Sequence, residues 1–121
     1  MTTILLIDDD PIIYSLTSRM LERSGYEVIW AKNGDEALQA LSGDVLPDLV
    51  LCDIKMPGMD GHETVAAIRQ DPRLRDLRII MLTAHDQPAD LAWAEEVGTN
   101  DYIVKPFPPN RLLEVVKQHL K

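Results

Sequence analysis

Short apolar runs alternate with longer segments of helical periodicity five times along this chain. The runs have the length of β-strands, and the intervening segments repeat their apolar positions every three to four residues. The predicted strands cover about residues 3–7, 27–31, 49–52, 78–82 and 101–104. The predicted helices cover about residues 11–24, 35–42, 62–70, 88–97 and 109–120. This alternation is typical of an α/β protein with a parallel sheet.

The composition of the runs predicts where each strand lies in that sheet. The first, third and fourth runs are continuously apolar, as expected for strands buried on both faces. The second run begins with Glu27 and suits an edge position. The pattern therefore predicts a doubly wound parallel sheet covered by helices on both faces.

The first helix has the clearest boundaries. Asp10 is a candidate N-cap, Pro11 falls in the first turn, and Gly25 is placed to end the helix. Its inward side is predicted from apolar residues at helical spacing: Ile13, Leu16, Met20 and Leu21.

Length and charge narrow the function. With 121 residues the chain is interpreted as one domain, residues 1–121. The net charge of −8 argues against direct nucleic-acid binding, which needs lysine and arginine at the phosphates. The densest basic stretch, Arg69 to Arg78, is interrupted by acidic residues and is interpreted as a solvated connection.

Neither a membrane span nor an export signal is expected. No apolar run approaches the roughly 20 residues that a span requires, and no basic segment precedes the first run. The single cysteine, Cys52, excludes an internal disulfide and is interpreted as a core residue. We therefore expect a cytoplasmic protein.

Residues suited to phosphoryl or cation chemistry follow four of the runs. They are Asp8-Asp9-Asp10, Asp53, Thr83 and Lys105-Pro106. Carboxyl ends of parallel strands share one edge of the sheet, where such sheets bind ligands. Two carboxylates about 4 Å apart repel by about 4 kcal/mol at an effective dielectric near 20. Such a cluster either keeps a proton or holds a cation, and an oxygen-rich site with few protein ligands suits Mg²⁺.

With these residues at the strand ends, the chain resembles a receiver domain of a two-component response regulator, the family that includes the single-domain chemotaxis regulator. The matching motifs span nearly all of the sequence and run from Ile7 to Pro11, from Asp53 to Gly61, through Thr83-Ala84, and from Lys105 to Phe107. The resemblance implies a flavodoxin-like three-layer (βα)5 sandwich with strand order 2-1-3-4-5.

The same resemblance implies the roles of the acidic residues. Asp53 corresponds to the phosphoacceptor, whose carboxylate attacks a phosphohistidine on a partner kinase and forms an acyl phosphate. Asp9 resembles the direct Mg²⁺ ligand, with Asp8 acting through a metal-bound water. The carboxylate of Asp53 and the backbone carbonyl of Lys55 would complete the metal ligands.

Three further residues have implied roles. Lys105 would pair with Asp53 at rest and with phosphoryl oxygens afterwards, and the peptide bond to Pro106 would be cis. Thr83 would donate its hydroxyl to the phosphoryl group. As Thr83 moves, Tyr102 would swing inward and alter the surface formed by the predicted helix 88–97, the fifth strand and the last helix.

Other residues leave the interpretation open. Lys55 and His85 border the phosphoryl position and would tune its lifetime in a direction that the sequence does not give. Tyr102 also fits a half-buried strand residue without a switching role. Trp93 is interpreted as flanking the buried side of the predicted helix 88–97. His62 and His119 lack metal-ligand partners in the sequence and are expected at the surface.

The function predicted overall is a phosphoacceptor signalling module rather than an enzyme. Its expected partners are a sensor histidine kinase or phosphotransfer protein and a downstream effector, with a phosphorylation-dependent homodimer left open. An Asp-nucleophile phosphatase is the alternative, although Asp53-Ile54-Lys55 lacks the second carboxylate of that class. A flavin carrier fits less well, because three converging carboxylates would repel the cofactor phosphate.

Overall fold

A five-stranded parallel sheet forms the centre of the protein. The computed structural model describes residues 2–54, 60–84, 98–105 and 107–120. The strands are β1 (Thr3–Ile7), β2 (Glu27–Ala31), β3 (Leu49–Asp53), β4 (Arg78–Ala84) and β5 (Asp101–Lys105). They pair in the order β2-β1-β3-β4-β5, and every pair is parallel. The predicted fold class, strand order and edge position of the second strand are confirmed.

Four α-helices lie in the part of the chain that the structure describes. They are α1 (Pro11–Arg23), α2 (Gly34–Ala40), α3 (Gly61–Gln70) and α4 (Pro109–His119), with a short 3-10 helix at Pro72–Leu74. The helix predicted for residues 88–97 lies outside the described residues, as does Trp93.

Two apolar cores separate the sheet from the helices. One core packs Ala37 of α2, Leu41 directly after it, and Val65 and Ile68 of α3 against one face of the sheet. The other packs Leu21 of α1 and Leu112, Val115 and Val116 of α4 against the opposite face. The sheet therefore has helices on both sides, which is the predicted three-layer arrangement. Cys52 of β3 is completely buried in the first core, as predicted.

Local hydrogen bonds set the ends of α1 and α2. Asp10 caps α1 by accepting from the backbone N–H of Ile12 at 2.9 Å, and Gly25 ends that helix with a φ of 93°. Asn33 caps α2 by accepting from Glu36 N–H at 2.8 Å, so this helix begins one residue earlier than predicted.

The predicted inward side of α1 is wrong at Leu16. Leu16 is 56% exposed, whereas Thr17, Ser18 and Leu21 are buried. Two small polar residues are thus buried on this helix, and the hydroxyl of Ser18 donates to the carbonyl of Ser15 at 3.2 Å. Leu21 is buried as predicted and Met20 packs against the second core, so hydrophobicity alone misplaced Leu16.

Both histidines expected at the surface lie elsewhere. His62 is buried in the first turn of α3, with 1% of its surface exposed. His119 is half-buried at the end of α4, and its Nε2 lies 2.9 Å from Asp101 Oδ2 in β5. Neither location could be predicted from the sequence, because the burial of each histidine depends on how its helix packs in the folded protein.

The basic stretch is also more than a solvated connection. The guanidinium of Arg69 donates to the carbonyls of Gly98 (2.9 Å), Leu74 (3.1 Å) and Arg75 (3.2 Å) and to Asn100 Oδ1 (3.0 Å). Asn100 Oδ1 also accepts from the backbone N–H of Ile79. Arg69 therefore ties the end of α3 to the segment that enters β5, at the edge opposite the strand-end carboxylates.

Candidate metal and phosphoryl site

Acidic and basic residues of the predicted site lie at the carboxyl ends of β1, β3 and β5. Asp8 follows β1, while Asp53 and Lys105 are the last residues of β3 and β5. Asp8 stays next to the sheet because its N–H donates to the carbonyl of Ala31 at 3.1 Å, continuing the β1–β2 ladder. The parallel register thus brings together residues that are far apart in sequence.

Three carboxylates converge at this edge. One oxygen from each of Asp8, Asp9 and Asp53 lies within 4.8 Å of the others. Asp8 is 1% exposed and Asp53 is 9% exposed, whereas Asp9 is exposed. The cluster therefore has a closed inner wall and an outer side that a solute can reach.

Lys105 supplies the opposing charge. Its Nζ donates to Asp53 Oδ1 at 3.1 Å and lies 3.7 Å from Asp8 Oδ2. The side chain is 27% exposed, so the ammonium lies at the rim of the site rather than in the core. Among the described residues of the site, one ammonium against three carboxylates leaves an excess of negative charge.

The arrangement of Asp8 fits a divalent cation. Its Oδ1 accepts from the N–H of Asp10 at 2.9 Å, while its buried Oδ2 accepts no hydrogen bond from the residues that the structure describes. A buried carboxylate oxygen without a donor is costly in the absence of a ligand. Because carboxylate oxygens are the protein ligands that Mg²⁺ prefers, the donor set fits this ion.

Burial is the main influence on the acidity of the two buried carboxyls. Burial raises the pKa of Asp8 above its ordinary value of 3.8, and the Asp10 N–H and the Lys105 ammonium only partly oppose this shift. Burial also raises the pKa of Asp53; the charge of Lys105 opposes that shift, and the charge of Asp8 adds to it. Ionising the site in the absence of a cation therefore costs folding free energy.

We expect Asp8→Asn to stabilise the metal-free protein at neutral pH. The pKa of Asp8 is raised on folding, so stability from this group is present at low pH and is lost as pH rises through the folded pKa. The free energy of unfolding of Asp8→Asn should exceed that of the wild type by an amount that grows from pH 4 to pH 7. It should reach about 1 kcal/mol, a common gain when a functional residue is replaced. Urea unfolding in EDTA at several pH values measures it.

Asp48→Asn is a matched control for that measurement. Asp48 precedes β3 at the opposite edge, where its Oδ2 accepts from the N–H of Thr3 at 2.8 Å. The stability difference between Asp48→Asn and the wild type should not increase between pH 4 and pH 7. A gain for Asp8→Asn that is constant over this range would contradict the proposed cost of ionisation.

The start of α3 supports the end of β3. Asp60 caps the helix by accepting from Glu63 N–H at 2.9 Å, and Gly61 N–H donates to the carbonyl of Ile54 at 2.7 Å. A Cβ on Gly61 would overlap the carbonyl oxygen of Asp53 and the Cα of Ile54. Glycine is therefore required here because helix and strand backbones are in direct contact.

Thr83 and Tyr102 lie on the neighbouring strands. Thr83 is buried in β4 and pairs with Val104, and it directly follows Leu82, which pairs with Asp53. Tyr102 lies in β5 and is 37% exposed. Thr83 thus lies beside the end of β3, whereas Tyr102 pairs with Met81, further from that edge, and is partly open to solvent.

Several predicted site residues fall outside the described part of the chain. These are Lys55, with its candidate carbonyl ligand, His85 and Pro106. Their predicted roles remain predictions.

Trp30 is a site-adjacent residue that sequence reasoning missed. Its indole N–H donates to the backbone carbonyl of Asp8 at 2.8 Å, and its ring stacks on Tyr14 with centroids 4.2 Å apart. The sequence feature that could have indicated this contact is a tryptophan near the end of a predicted edge strand, beside the strand that leads into the acidic run.

Comparison with known proteins identifies the family. The family model described as the response regulator receiver domain matches residues 4–117. Protein PilH of Pseudomonas aeruginosa is 37% identical over 117 residues, which cover 96% of this chain and 95% of PilH. The alkaline phosphatase synthesis transcriptional regulatory protein PhoP of Bacillus subtilis is 40% identical over 118 residues, covering 98% of this chain and 48% of PhoP. The chain thus spans about half the length of the first curated relatives it matches.

Solved structures agree with this assignment. The chemotaxis response regulator CheY4 of Vibrio cholerae superposes with a TM-score of 0.91 at 34% identity, covering 99% of each chain. The signal receiver domain of a signal transduction histidine kinase from Syntrophus aciditrophicus gives a TM-score of 0.92 at 34% identity, covering 99% of this chain and 90% of that one. No helix among the described residues is long and apolar enough to cross a membrane. This chain belongs to the response regulator receiver domain family, whose members are regulatory domains of two-component signalling systems.

Proposed function

We propose that this receiver domain accepts a phosphoryl group on Asp53 from a phosphohistidine in a Mg²⁺-dependent reaction. The observation that carries the proposal is the pairing of Lys105 Nζ with Asp53 Oδ1 at 3.1 Å beside the three converging carboxylates. This pairing supports the proposal because a carboxylate that could act as the nucleophile, a positive charge and candidate metal ligands lie at one accessible edge.

Asp53 has the properties of a nucleophile that needs no general base. An ionised carboxylate already carries the attacking electron pair. An oxygen of Asp53 would form the new bond to phosphorus as the bond from phosphorus to the donor imidazole nitrogen breaks, and that nitrogen takes up a proton. The ammonium of Lys105 would stabilise the negative charge that develops on the phosphoryl oxygens.

Asp8, Asp9 and Asp53 are the described residues that would hold Mg²⁺, with the carbonyl of Lys55 as a further proposed ligand. When bound, the ion neutralises charge on the phosphoryl group and orients it. Asp9 is exposed and would be the direct ligand, while the buried Asp8 would act through water. The unpartnered Oδ2 of Asp8 supports this arrangement, since a metal-bound water would donate to it.

Thr83 and Tyr102 would convert phosphorylation into a change of surface. Thr83 would donate its hydroxyl to a phosphoryl oxygen, and the displaced side chain would leave room for the partly exposed ring of Tyr102 to turn inward. A phosphoryl group adds close to two negative charges, so its contacts with Thr83 and Lys105 can favour one of two arrangements. The surface around β5, α4 and residues 88–97 would then bind an effector protein or domain.

The proposed partners follow from this reaction. A sensor histidine kinase or a phosphotransfer protein would supply the phosphohistidine, and the domain would promote only its own phosphorylation and dephosphorylation. Direct DNA binding is not proposed for this domain, because the chain carries a net charge of −8.

We expect the purified domain to take up one phosphoryl group from acetyl phosphate when Mg²⁺ is present. The uptake should disappear in EDTA, because uncompensated carboxylates repel the anionic donor. Intact-mass spectrometry measures the added group, and hydroxylamine should release it, as expected for an acyl phosphate. A hydroxylamine-resistant group, or no uptake with Mg²⁺, would refute the proposal. Sustained turnover of a phosphomonoester would instead favour the phosphatase alternative.

A further inference from the structure

Trp30 makes an unusual contact with the acidic loop. It lies near the end of β2, and its indole N–H donates to the carbonyl of Asp8 at 2.8 Å. The N–H of Asp8 donates to the carbonyl of Ala31, the next residue of the same strand. The end of β2 therefore holds both backbone polar groups of Asp8.

The contact to the carbonyl of Asp8 also orients Asp9. The carbonyl of Asp8 and the N–H of Asp9 belong to one planar peptide unit. A donor that fixes the carbonyl therefore also fixes the plane in which the Cα of Asp9 lies. Since the side chain of Asp9 is exposed, its position in the cluster depends strongly on this backbone geometry.

The indole ring is itself held in place. Tyr14 of α1 stacks on it with an interplanar angle of 9°, and Lys32 Nζ lies 5.3 Å from the ring centroid. Stacking and cation–π contacts each favour a defined ring position. The donor thus reaches the loop from a ring fixed between α1 and β2.

We propose that Trp30 is a positioning residue that sets the Mg²⁺ affinity of the acidic cluster through the Asp8–Asp9 peptide. This inference rests on the proposed function, because it assumes that the cluster holds Mg²⁺. Partners that orient the ligands of a metal typically change metal affinity by about 10- to 100-fold when removed. A hydrogen bond to the backbone between two ligands belongs at the lower end of that range.

Trp30→Phe tests the effect of the indole N–H separately from that of the aromatic ring. Phenylalanine keeps an aromatic face for Tyr14 but has no N–H for Asp8. We expect its dissociation constant for Mg²⁺ to rise about tenfold. Isothermal titration calorimetry of the metal-free protein with MgCl2, at a temperature where both proteins are fully folded, measures this constant.

Two further variants complete the test. Ile29→Thr changes the preceding residue of β2, which is 42% exposed, and should leave the Mg²⁺ affinity within about twofold of the wild type. Tyr14→Leu keeps the donor but removes the ring that holds it, and should weaken Mg²⁺ binding by about threefold. Tyr14→Leu decides the question if Trp30→Phe does not fold.

The indole N–H provides a spectroscopic check. Its ¹H–¹⁵N signal is assigned by its disappearance in Trp30→Phe, and in the wild type it should move on Mg²⁺ addition with the calorimetric dissociation constant. A purely structural role predicts lower thermal stability for Trp30→Phe with an unchanged Mg²⁺ affinity, and that result would overturn the inference.

The outcomes separate this inference from the proposed function. A wild type that neither binds Mg²⁺ nor takes up a phosphoryl group would remove both. A wild type that does both, while every folded variant at Trp30 and Tyr14 matches its Mg²⁺ affinity, would remove only the role of Trp30.

Discussion

Asp53→Asn should reduce phosphoryl uptake from acetyl phosphate by at least about a hundredfold, because an amide cannot supply the carboxylate nucleophile. The substitution preserves the shape of the side chain and an oxygen that can accept from Lys105, whose Nζ lies 3.1 Å from Asp53 Oδ1. The fold should therefore survive, and the loss should reflect chemistry. Intact-mass spectrometry over a time course gives the rate.

Asp48→Asn is the matched control for this loss as well. The same chemical change is made at the opposite edge of the sheet, where Asp48 only accepts from the N–H of Thr3. Uptake should match that of the wild type. If Asp53→Asn took up the phosphoryl group at the wild-type rate, peptide mapping would place it on another residue, and the role of Asp53 would be wrong.

Gly61→Ala should destabilise the protein by about 3 kcal/mol, near the upper end of overpacking effects. The new methyl group would meet the carbonyl oxygen of Asp53, the Cα of Ile54 and, at 3.0 Å, Cε of Met81. Backbone atoms cannot turn aside as a side-chain end can, so α3 must move away from β3. For a domain of this size the melting temperature should fall by roughly 10 °C.

Gly43→Ala provides the comparison. A Cβ at Gly43 meets no atom within 4 Å, so this variant should be as stable as the wild type or slightly more stable. Urea unfolding followed by circular dichroism measures both variants. Equal stability of the two variants would show that the α3–β3 contact can relax freely. The Gly61 variant should also take up phosphoryl groups more slowly, since the carbonyl it displaces belongs to Asp53.

Much of the fold could be predicted because a parallel sheet leaves a strong pattern in the sequence. The strands β1, β3 and β4 are apolar on both faces, and their core residues are almost completely buried. Asp10 and Gly25 marked the ends of α1 through local rules that need no tertiary information. Strand order came from family resemblance, since periodicity alone does not state which strands are neighbours.

The errors concern residues whose surroundings are set by packing. Leu16 was expected on the inward side of α1, yet it is exposed, and the small residues Thr17 and Ser18 are buried instead. His62 was expected at the surface and is buried, because the first turn of α3 lies against β3. Arg69 was interpreted as solvated, although four acceptors around its guanidinium lie in segments that meet only in the folded chain.

The candidate site was more predictable than these surroundings. Asp8, Asp53 and Lys105 each stand at a strand end, so parallel topology alone brings them to one edge. Trp30 escaped notice because its role depends on a single hydrogen bond to a backbone carbonyl, which has no sequence signal. Motifs thus identify the groups proposed to react, whereas side chains that contact their backbone become visible only in three dimensions.

The buried cysteine offers a practical route to following this domain in solution. Cys52 is the single thiol of the chain; burial raises its pKa, and the charge of Asp53 adds to the shift. Thiolates rather than thiols react with alkylating reagents, so Cys52 should stay unmodified while β3 is in place. A cysteine introduced on the surface could then carry a fluorophore without removal of the native one. Slow alkylation of Cys52 itself would report the rate at which the central sheet opens transiently beside Asp53.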